Sequence, residues 1–308
     1  MCFQQRLSRL LTILLISAWP TLAWTKTLAL TFDDGFNPSR HPETTQWNSQ
    51  LLAILHKHKI QAALFPSLTR IGGTAGLELV NRWAQEGHQI GNHTANHRNL
   101  ADDAVSVDQF IADIQAADSV LHGLPTFTPM LRFPYLKEGN TQAKRDGIRK
   151  WMANNGYKTA AVSIDASDWY YNLAYIDQLK AGDRAKAEQV KHYYIQHLLD
   201  RANYYDQLAH RVLKRSPPHI MLLHTNQLNA ETLSEIITAL TSQGWTIISA
   251  RTAFADPLYN QAPDILPAGE SIIWAHAKAA NIPDLRYPAE DAIYEQPRLK
   301  QAGLLLKQ

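Results

Sequence analysis

Five short segments of the chain combine residue types that can bind a metal ion and transfer protons. In order along the chain they are 31–35 (TFDDG), 93–97 (HTANH), 132–135 (RFPY), 165–169 (DASDW) and 222–224 (LLH). Each follows an apolar run typical of a β-strand, and α/β barrels place their reactive side chains at the carboxyl ends of strands. Together the segments supply a carboxylate pair, two imidazoles, a cation, a second acid and a late histidine, which are the parts of a metal-dependent hydrolase.

Asp33 and Asp34 end the first of these strands. Adjacent residues at a strand end point in different directions, so one carboxylate can bind a metal while its neighbour acts as general base toward the attacking water. An Asp-Gly pair is also a common turn signal, and the pentad taken alone predicts a strand-to-loop turn equally well.

His93 and His97 are four residues apart. One helical turn would place both imidazoles on the same face, which suits a divalent metal with a carboxylate as third ligand and an open position for water. The chain has 13 histidines, so chance spacing is the alternative interpretation of this pair. His56 and His58 provide a contrast, because we expect them at a solvated helix end without a catalytic role.

Three further residues extend the chemistry. Arg132 could pair with Asp33 and hold that carboxylate ionised and aligned, or it could lie on the surface of a loop. Asp168 could be functional, or it could cap a helix beside a buried Trp169. His224 follows an apolar strand, where a histidine is well placed as general acid and a carboxylate partner would raise its pKa.

The five segments in this order resemble the motifs of the NodB-homology polysaccharide deacetylases, carbohydrate esterase family 4. That family has Thr-Phe-Asp-Asp-Gly, His-Thr-x-x-His, Arg-x-Pro-Tyr, Asp-x-x-Asp-Trp and Leu-x-His, and all five are present here. The resemblance covers roughly residues 28–248. It implies an α/β fold, a distorted (β/α) barrel, and removal of acetyl groups from sugars.

The resemblance also implies a role for each residue of the first three motifs. By the family pattern Asp33 is the general base, and Asp34, His93 and His97 bind one divalent metal ion, usually zinc. Arg132 would steady Asp33.

The remaining motif residues are implied to act on the substrate. The backbone N–H of Tyr135 would stabilise the oxyanion, and Asp168 would tune His224, the acid that protonates the leaving amine. Trp169 and Leu222 would line the pocket for the acetyl group.

The elements that must position these residues alternate between strand-like and helical runs, which predicts a parallel sheet with crossover helices. Strands are predicted over 28–32, 61–65, 88–91, 127–131, 158–164, 219–223 and 246–248. Helices are predicted over 43–58, 77–85, 105–121 and 271–280.

The segment 173–213 breaks this rhythm, since it lacks proline and has one glycine, Gly182. It predicts two helices, the second long, in a helical insertion over about 170–215 between the fourth and fifth motifs. Tyr170, Tyr171 and Tyr175 either pack on the barrel or stack on sugar rings at the mouth of the site. The predicted domains are a deacetylase domain over 24–255 and a C-terminal extension over 256–308 that packs on the barrel.

The first 23 residues have a basic start and an apolar core too short to span a bilayer comfortably, which predicts a cleaved signal peptide rather than an uncleaved anchor. The one cysteine, Cys2, lies in this leader, so the mature chain can form no disulfide and has no cysteine for lipid attachment. Removing Arg6 and Arg9 leaves 28 basic residues against 28 acidic ones. A neutral chain gives no reason to expect a nucleic-acid partner.

These observations favour an exported, periplasmic or secreted enzyme without a stable membrane anchor after cleavage. The expected reaction is metal-dependent deacetylation of N-acetylglucosamine residues in a glycan, with peptidoglycan favoured over chitin. One alternative is an O-deacetylase of acetylxylan-type polymers, which would use the same residues. The other is a non-catalytic carbohydrate-binding relative, against which the intact Asp33, Asp34 and His224 argue.

Overall fold

A computed structural model describes residues 26–286 and 292–306, and the predicted signal peptide lies outside the described residues. The described strands are β1 (Lys26–Asp34), β2 (Ala63–Pro66), β3 (Gln89–Asn92), β4 (Phe127–Leu131), β5 (Lys137–Gly139), β6 (Lys158–Thr159), β7 (His219–His224), β8 (Trp245–Ile247) and β9 (Ala268–Gly269). The described helices are α1 (Thr44–Lys57), α2 (Leu68–Ile71), α3 (Thr74–Gln85), α4 (Val107–Leu121), α5 (Gln142–Asn154), α6 (Asp168–Lys180), α7 (Arg184–Leu213), α8 (Gln227–Ser242), α9 (Ala250–Phe254), α10 (Ile272–Ala279) and α11 (Glu295–Gln301).

Seven of these strands form one parallel sheet in the order β6-β4-β3-β2-β1-β7, with β8 beside the start of β1. The two ends of this order meet through the segment after β6, where Ile164 pairs with Met221 of β7. The sheet therefore curls into a distorted (β/α) barrel, and the predicted fold class is confirmed. β5 and β9 form a separate antiparallel pair.

The strand expected over 158–164 was wrong in length, because only Lys158–Thr159 is regular. The segment leaves one neighbour for another. The Ala160 N–H donates to the Leu131 carbonyl of β4, whereas the Ile164 N–H donates to the Ile220 carbonyl of β7. A chain that crosses between two strands cannot keep one continuous ladder, so the barrel closes through a broken strand.

β1 lies at the centre of the sheet and is buried on both faces. Leu28, Leu30 and Phe32 face the helices, and Phe32 packs on Trp83 of α3. Because side chains alternate along a strand, residue 33 lies on the opposite face from these three. β1 and β7 pair with Asp33 opposite His224, so strand register brings the first and fifth motifs together at the carboxyl edge of the sheet.

Helix bounds differ from those predicted by a few residues, for identifiable reasons. The helix expected over 105–121 begins at Val107, because the Ser106 hydroxyl accepts from the Gln109 N–H and the Gln109 side chain accepts from the Ser106 N–H. This capping box defines a helix start. No helix was predicted at α5 or α8, although each begins after a residue whose side chain caps it, Thr141 and Asn226.

The helical insertion is present as predicted. α6 and α7 are separated at Gly182, which has a φ of 76°. After α9, the chain returns to the barrel wall, where the Ile272 N–H donates to the Val162 carbonyl. Within residues 26–286 and 292–306, no helix combines the length and apolar character needed to span a bilayer.

Candidate metal and catalytic site

The first motif ends β1 with a tight turn. Asp34 and Gly35 have φ values of 79° and 84°, and the Gly35 N–H donates to the Asp33 carbonyl. A Cβ on Gly35 would lie 2.4 Å from the Ile71 side chain, so glycine is required both for this backbone conformation and for space. The pentad therefore forms the turn predicted from Asp-Gly and also presents two carboxylates to different partners.

Asp34, His93 and His97 form a cluster whose potential ligand atoms all lie within 4.8 Å of one another. The Asp34 Oδ1 atom is 3.3 Å from His97 Nε2 and 3.8 Å from His93 Nε2. Burial would raise the pKa of Asp34, but the neighbouring His97 imidazole and the charge of His224 hold that pKa well below its usual range. The carboxylate is therefore ionised and available as a ligand at neutral pH.

The arrangement fits a divalent metal ion. Asp34 Oδ1 is a buried oxygen without a hydrogen-bond partner among the described residues. His93 Nδ1 lies 2.8 Å from the Arg132 carbonyl, which orients the ring so that its Nε2 faces Asp34. Burial lowers the pKa of His93 well below its usual value, so its imidazole is neutral. Two imidazole nitrogens and one carboxylate oxygen are the donor set of open zinc-type sites, and the carbonyl contact is the usual outer support of a histidine such as His93.

The expectation that one helical turn aligns the two histidines was wrong. Residues 93–97 form a loop after β3, with φ values of 65° at Thr94 and 52° at His97. The Asn92 side chain accepts from the Thr94 N–H at 2.8 Å, and the Thr94 hydroxyl accepts from the His97 N–H at 3.1 Å. These local side-chain hydrogen bonds compete with a helix, and they turn the chain so that the two imidazoles meet edge to face at 4.9 Å.

Arg132 is buried and pairs with Asp33, so the surface-loop interpretation of this residue was wrong. Its Nη1 donates to the two Asp33 oxygens at 2.9 and 3.2 Å, and its Nη2 donates to the Thr31 hydroxyl at 3.2 Å. Burial raises the pKa of Asp33 to about 6, while the charges of Arg132 and His224 act in the opposite direction. Asp33 is thus a fixed carboxylate whose oxygen Oδ2 lies 3.8 Å from His93 Nε2.

His224 and Asp168 form a second tight pair in the site. His224 Nδ1 is 2.6 Å from Asp168 Oδ1, and the His224 backbone N–H donates to Asp168 Oδ2 at 2.8 Å. Burial alone would lower the pKa of His224, but Asp168, with Asp34 and Asp33, raises it to about 10. Asp168 is the first residue of α6, and Ser167 before it has a φ of 47°.

Asn229 and Tyr194 support this pair, and the sequence analysis missed both in this role. The Asn229 amide donates to Asp168 Oδ2 at 2.7 Å and to the His224 carbonyl at 2.8 Å. The Tyr194 hydroxyl, on α7 of the insertion, donates to the Asn229 oxygen at 2.6 Å and so fixes which way the amide points. The signal available in the sequence was a polar side chain among the apolar residues of a buried helix face, Tyr194 on α7 and Asn229 on α8.

α7 also holds the fourth motif from behind. His197 lies 2.9 Å from the Ala166 carbonyl, and the Arg201 guanidinium donates to the Asp165 carbonyl at 3.2 Å. His197 and Arg201 are four residues apart and share one buried face of α7 with Tyr194. The insertion therefore packs against the loop that carries Asp168.

A Tyr194→Phe variant should lower kcat by about 3- to 10-fold, the effect of one lost hydrogen bond, and leave KM and metal content unchanged. Freeing the Asn229 amide lets Asp168 move away from His224. The weaker contact with this carboxylate lowers the pKa of His224. If activity requires protonated His224, the alkaline limb of the pH–rate profile moves to lower pH.

The matched control is Tyr175→Phe, because the Tyr175 hydroxyl also joins the insertion to α8, by donating to Glu231 at 2.6 Å, without contacting Asp168. Its pH profile should match that of the wild type. Equal profiles for all three proteins would contradict a positioning role for Tyr194.

The cavity beside these groups has a volume of about 600 Å³, and eight predicted site residues line it: Asp33, Asp34, His93, His97, Tyr135, Trp169, Leu222 and His224. Tyr135 has a φ of 58°, and its ring meets that of His97 edge to face at 4.9 Å. The other two predicted site residues, Arg132 and Asp168, lie behind this lining and contact Asp33 and His224. His56 and His58 lie outside it, on and just after α1.

The predicted alternative that Tyr171 and Tyr175 stack on sugar rings was wrong. Their exposed fractions are 0% and 2%. Tyr171 packs on Tyr194 and His197 of α7, and the Tyr175 hydroxyl donates to Glu231 of α8. Tyr170 is half-buried and packs edge to face on Trp169. The residues of α6 that line the cavity are Trp169, Asn172 and Leu173.

Comparison with known proteins agrees with this geometry. The family model described as polysaccharide deacetylase matches residues 23–160. A peptidoglycan-N-acetylglucosamine deacetylase of Bacillus cereus is 32% identical over 143 residues, 46% of each chain. The peptidoglycan-N-acetylmuramic acid deacetylase PdaA of Bacillus subtilis is 27% identical over 225 residues, which cover 73% of this chain and 70% of that one. The chain thus spans about half the length of the first of these relatives.

Two solved structures extend the comparison. That of Bacillus subtilis PdaA, a family 4 carbohydrate esterase, has a TM-score of 0.50 at 25% identity and covers 74% of this chain and 80% of its own. A family pseudoenzyme from Bacillus anthracis shares the fold, with a TM-score of 0.53 at 17% identity over 75% of this chain and 66% of its own. Residues 23–160 are thus similar to the polysaccharide deacetylase family, and the two solved structures that share the fold are described as members of carbohydrate esterase family 4.

Proposed function

We propose that the protein is a metal-dependent hydrolase that removes acetyl groups from N-acetylated amino sugars of a polysaccharide. The observation that carries this proposal is that a carboxylate and an imidazole line the same cavity as the Asp34–His93–His97 cluster. The buried carboxylate is Asp33, and the imidazole is that of His224, which is held by Asp168. A base and an acid beside a metal site are what amide hydrolysis requires.

Asp34, His93 and His97 would hold the ion, for which we propose zinc. When bound, a divalent ion polarises the acetyl carbonyl and assists ionisation of water. Asp33, aligned by Arg132, accepts the proton of the attacking water.

The remaining site residues act on the oxyanion, the leaving amine and the methyl group of the acetyl. The Tyr135 N–H donates to the developing oxyanion. His224, kept protonated by Asp168, gives its proton to the leaving amine so that the C–N bond can break. Trp169 and Leu222 contact the methyl group of the substrate.

One observation favours an enzyme over a non-catalytic relative. The fold alone does not decide, since a family pseudoenzyme shares it at 17% identity. In this chain, however, the proposed base Asp33, the proposed ligands Asp34, His93 and His97 and the proposed acid His224 are all present and line one cavity. The proposed location is outside the cytoplasm, on the basis of the predicted signal peptide at 1–23.

The proposed substrate is peptidoglycan, the abundant N-acetylated glycan of a bacterial periplasm, and the names of both curated relatives point the same way. The test is acetate release by the metal-loaded protein from peptidoglycan, N-acetylglucosamine oligomers and acetylxylan at matched acetyl concentration. We expect the N-acetylated substrates to be preferred. A tenfold or greater preference for acetylxylan, about 1.4 kcal/mol in the barrier, would overturn the assignment to amide bonds.

A further inference from the structure

The cleft does not end at the catalytic cavity. It continues into a second cavity of about 910 Å³, here called the distal arm, which shares Asp34, His97 and Tyr135 with the first. A glycan with one residue at the catalytic centre would therefore place a neighbouring sugar in the distal arm. The mechanism above uses none of the residues that line the distal arm alone.

The distal arm is cationic. Arg40, Arg70 and Lys180 line it, and they come from three separate places: the loop after β1, α2, and the last turn of α6. Among the described residues lining it, the carboxylates are Asp34, a proposed metal ligand, and Glu43, which lies 3.6 Å from His41. A chain with equal numbers of basic and acidic residues after its predicted leader has thus gathered three cations in one part of its cleft.

Two of these cations are available to a ligand. No carboxylate of the described residues lies within 4.0 Å of the side chains of Arg40 or Lys180. The third, Arg70, has its Nε 3.6 Å from Asp34 Oδ1 and marks the junction between the distal arm and the metal cluster. Guanidinium and ammonium groups without a protein partner are suited to bind carboxylates, the former in a two-pronged geometry.

The walls of the distal arm suit a sugar ring. Trp47 of α1 is half-buried, packs on Phe36 with ring centroids 6.1 Å apart, and presents its remaining surface to the cavity. Ile176 and Leu179 of α6 form part of the wall near Lys180. The helical insertion therefore shapes the cleft through aliphatic groups and a cation, and not through the tyrosines considered from the sequence.

We propose that the distal arm is a subsite for a carboxylate-bearing sugar next to the sugar that is deacetylated, with Arg40 and Lys180 as the residues that read the carboxylate. This inference rests on the proposed deacetylase function and narrows its substrate class to acidic N-acetylated glycans. Carboxylates of this kind occur as the lactyl ether of muramic acid and as the acid group of hexuronates. Chitin has neither group, so the cations of the distal arm would not strengthen its binding.

The experiment compares the metal-loaded wild type with Arg40→Gln, Lys180→Gln and the double variant. Both side chains lie at the surface, so the variants should fold. Lys57→Gln is the matched control, since Lys57 is also an exposed lysine in the last turn of a helix but lies outside both cavities. The substrates are glycan strands freed of peptide so that the lactyl carboxylates are exposed, the same strands after carbodiimide amidation, and neutral N-acetylglucosamine oligomers.

We expect the wild type to prefer the carboxylated strands over the amidated ones through a lower KM. The double variant should lose about tenfold in kcat/KM on the carboxylated strands alone, and Lys57→Gln should behave as wild type. An N-acetylglucosamine–glucuronate polymer added as a further arm tells the two sources of carboxylate apart. Equal losses on charged and neutral substrates, or a preference that survives in the double variant, would overturn the subsite.

Binding of the same strands, followed by tryptophan fluorescence, separates this inference from the proposed function. If no substrate releases acetate but the carboxylated strands still bind better than the amidated ones in an Arg40- and Lys180-dependent way, the deacetylase proposal fails and the subsite stands. If acetate is released but binding and turnover are the same for the carboxylated and the amidated strands, the subsite fails and the deacetylase proposal stands.

Discussion

Replacement of Asp33 by Asn should leave metal binding intact and reduce kcat by about 10²–10⁴-fold, the usual effect of losing a general base. The amide has nearly the shape of the carboxylate but cannot accept the proton of the attacking water. Asp33 lies outside the Asp34–His93–His97 cluster, so the coordination set remains complete. Acetate release and elemental analysis of the same preparation measure the two effects side by side.

Asp177→Asn is the control for this experiment, because Asp177 is an exposed acid on α6 that lines neither cavity. Its activity should equal that of the wild type. The assignment of Asp33 fails if Asp33→Asn keeps activity within about twofold. Loss of the metal together with the activity would place Asp33 in the coordination set instead.

The second large effect is expected for His93→Ala, which should contain almost no divalent metal after purification. The variant lacks one of two nitrogen donors in a three-ligand set, and an open site with two protein ligands binds weakly. Elemental analysis gives the stoichiometry, about one ion per wild-type chain. Thermal unfolding gives an independent readout, because added metal should raise the Tm of the wild type alone.

His93 is buried and contacts the Arg132 carbonyl, so its removal could also weaken folding. His97→Ala separates the two effects. His97 lies at the more open edge of the cluster, so the His97→Ala variant should lose the metal while the contact between His93 and the Arg132 carbonyl stays intact. His56→Ala, an exposed histidine on α1, should bind metal as the wild type does. Full occupancy in both cluster variants would rule out this ligand set.

The order of the motifs could be read from the sequence alone, and that order predicted much of the fold. Five chemically distinct segments, each after an apolar run, predicted a parallel α/β barrel, and β1, β4 and β7 lie within a few residues of their predicted bounds. This succeeds because apolar runs and caps are local features of the chain. The candidate metal and proton-transfer residues could be named because their segments follow apolar runs that end at one edge of the sheet. The roles predicted for Tyr135, Trp169 and Leu222 came from the resemblance of the motifs to a known family.

The loop that carries the two histidines shows where local reasoning stopped. A spacing of four residues is helical only if the backbone is helical, and the side chains of Asn92 and Thr94 turn that segment into a loop with two left-handed residues. Proximity of His93 and His97 was predicted correctly from a wrong geometry. Side-chain hydrogen bonds to nearby N–H groups compete with the hydrogen bonds of a helix. The difference in free energy between the two conformations is too small to be predicted from the residue types alone.

Contacts between distant segments were decided by the tertiary structure alone. Tyr194, Asn229, Asp168 and His224 come from α7, α8, α6 and β7, and a buried tyrosine in a helical stripe looks the same in the sequence whether its hydroxyl holds a catalytic pair or only fills space. Arg40 and Lys180 are 140 positions apart and unremarkable as single surface cations. They become a candidate subsite only because the packing of α6 beside the loop after β1 places both in one cavity. Sequence determines which chemistry each strand end carries, whereas packing across the barrel decides which groups orient it and which charges the substrate meets.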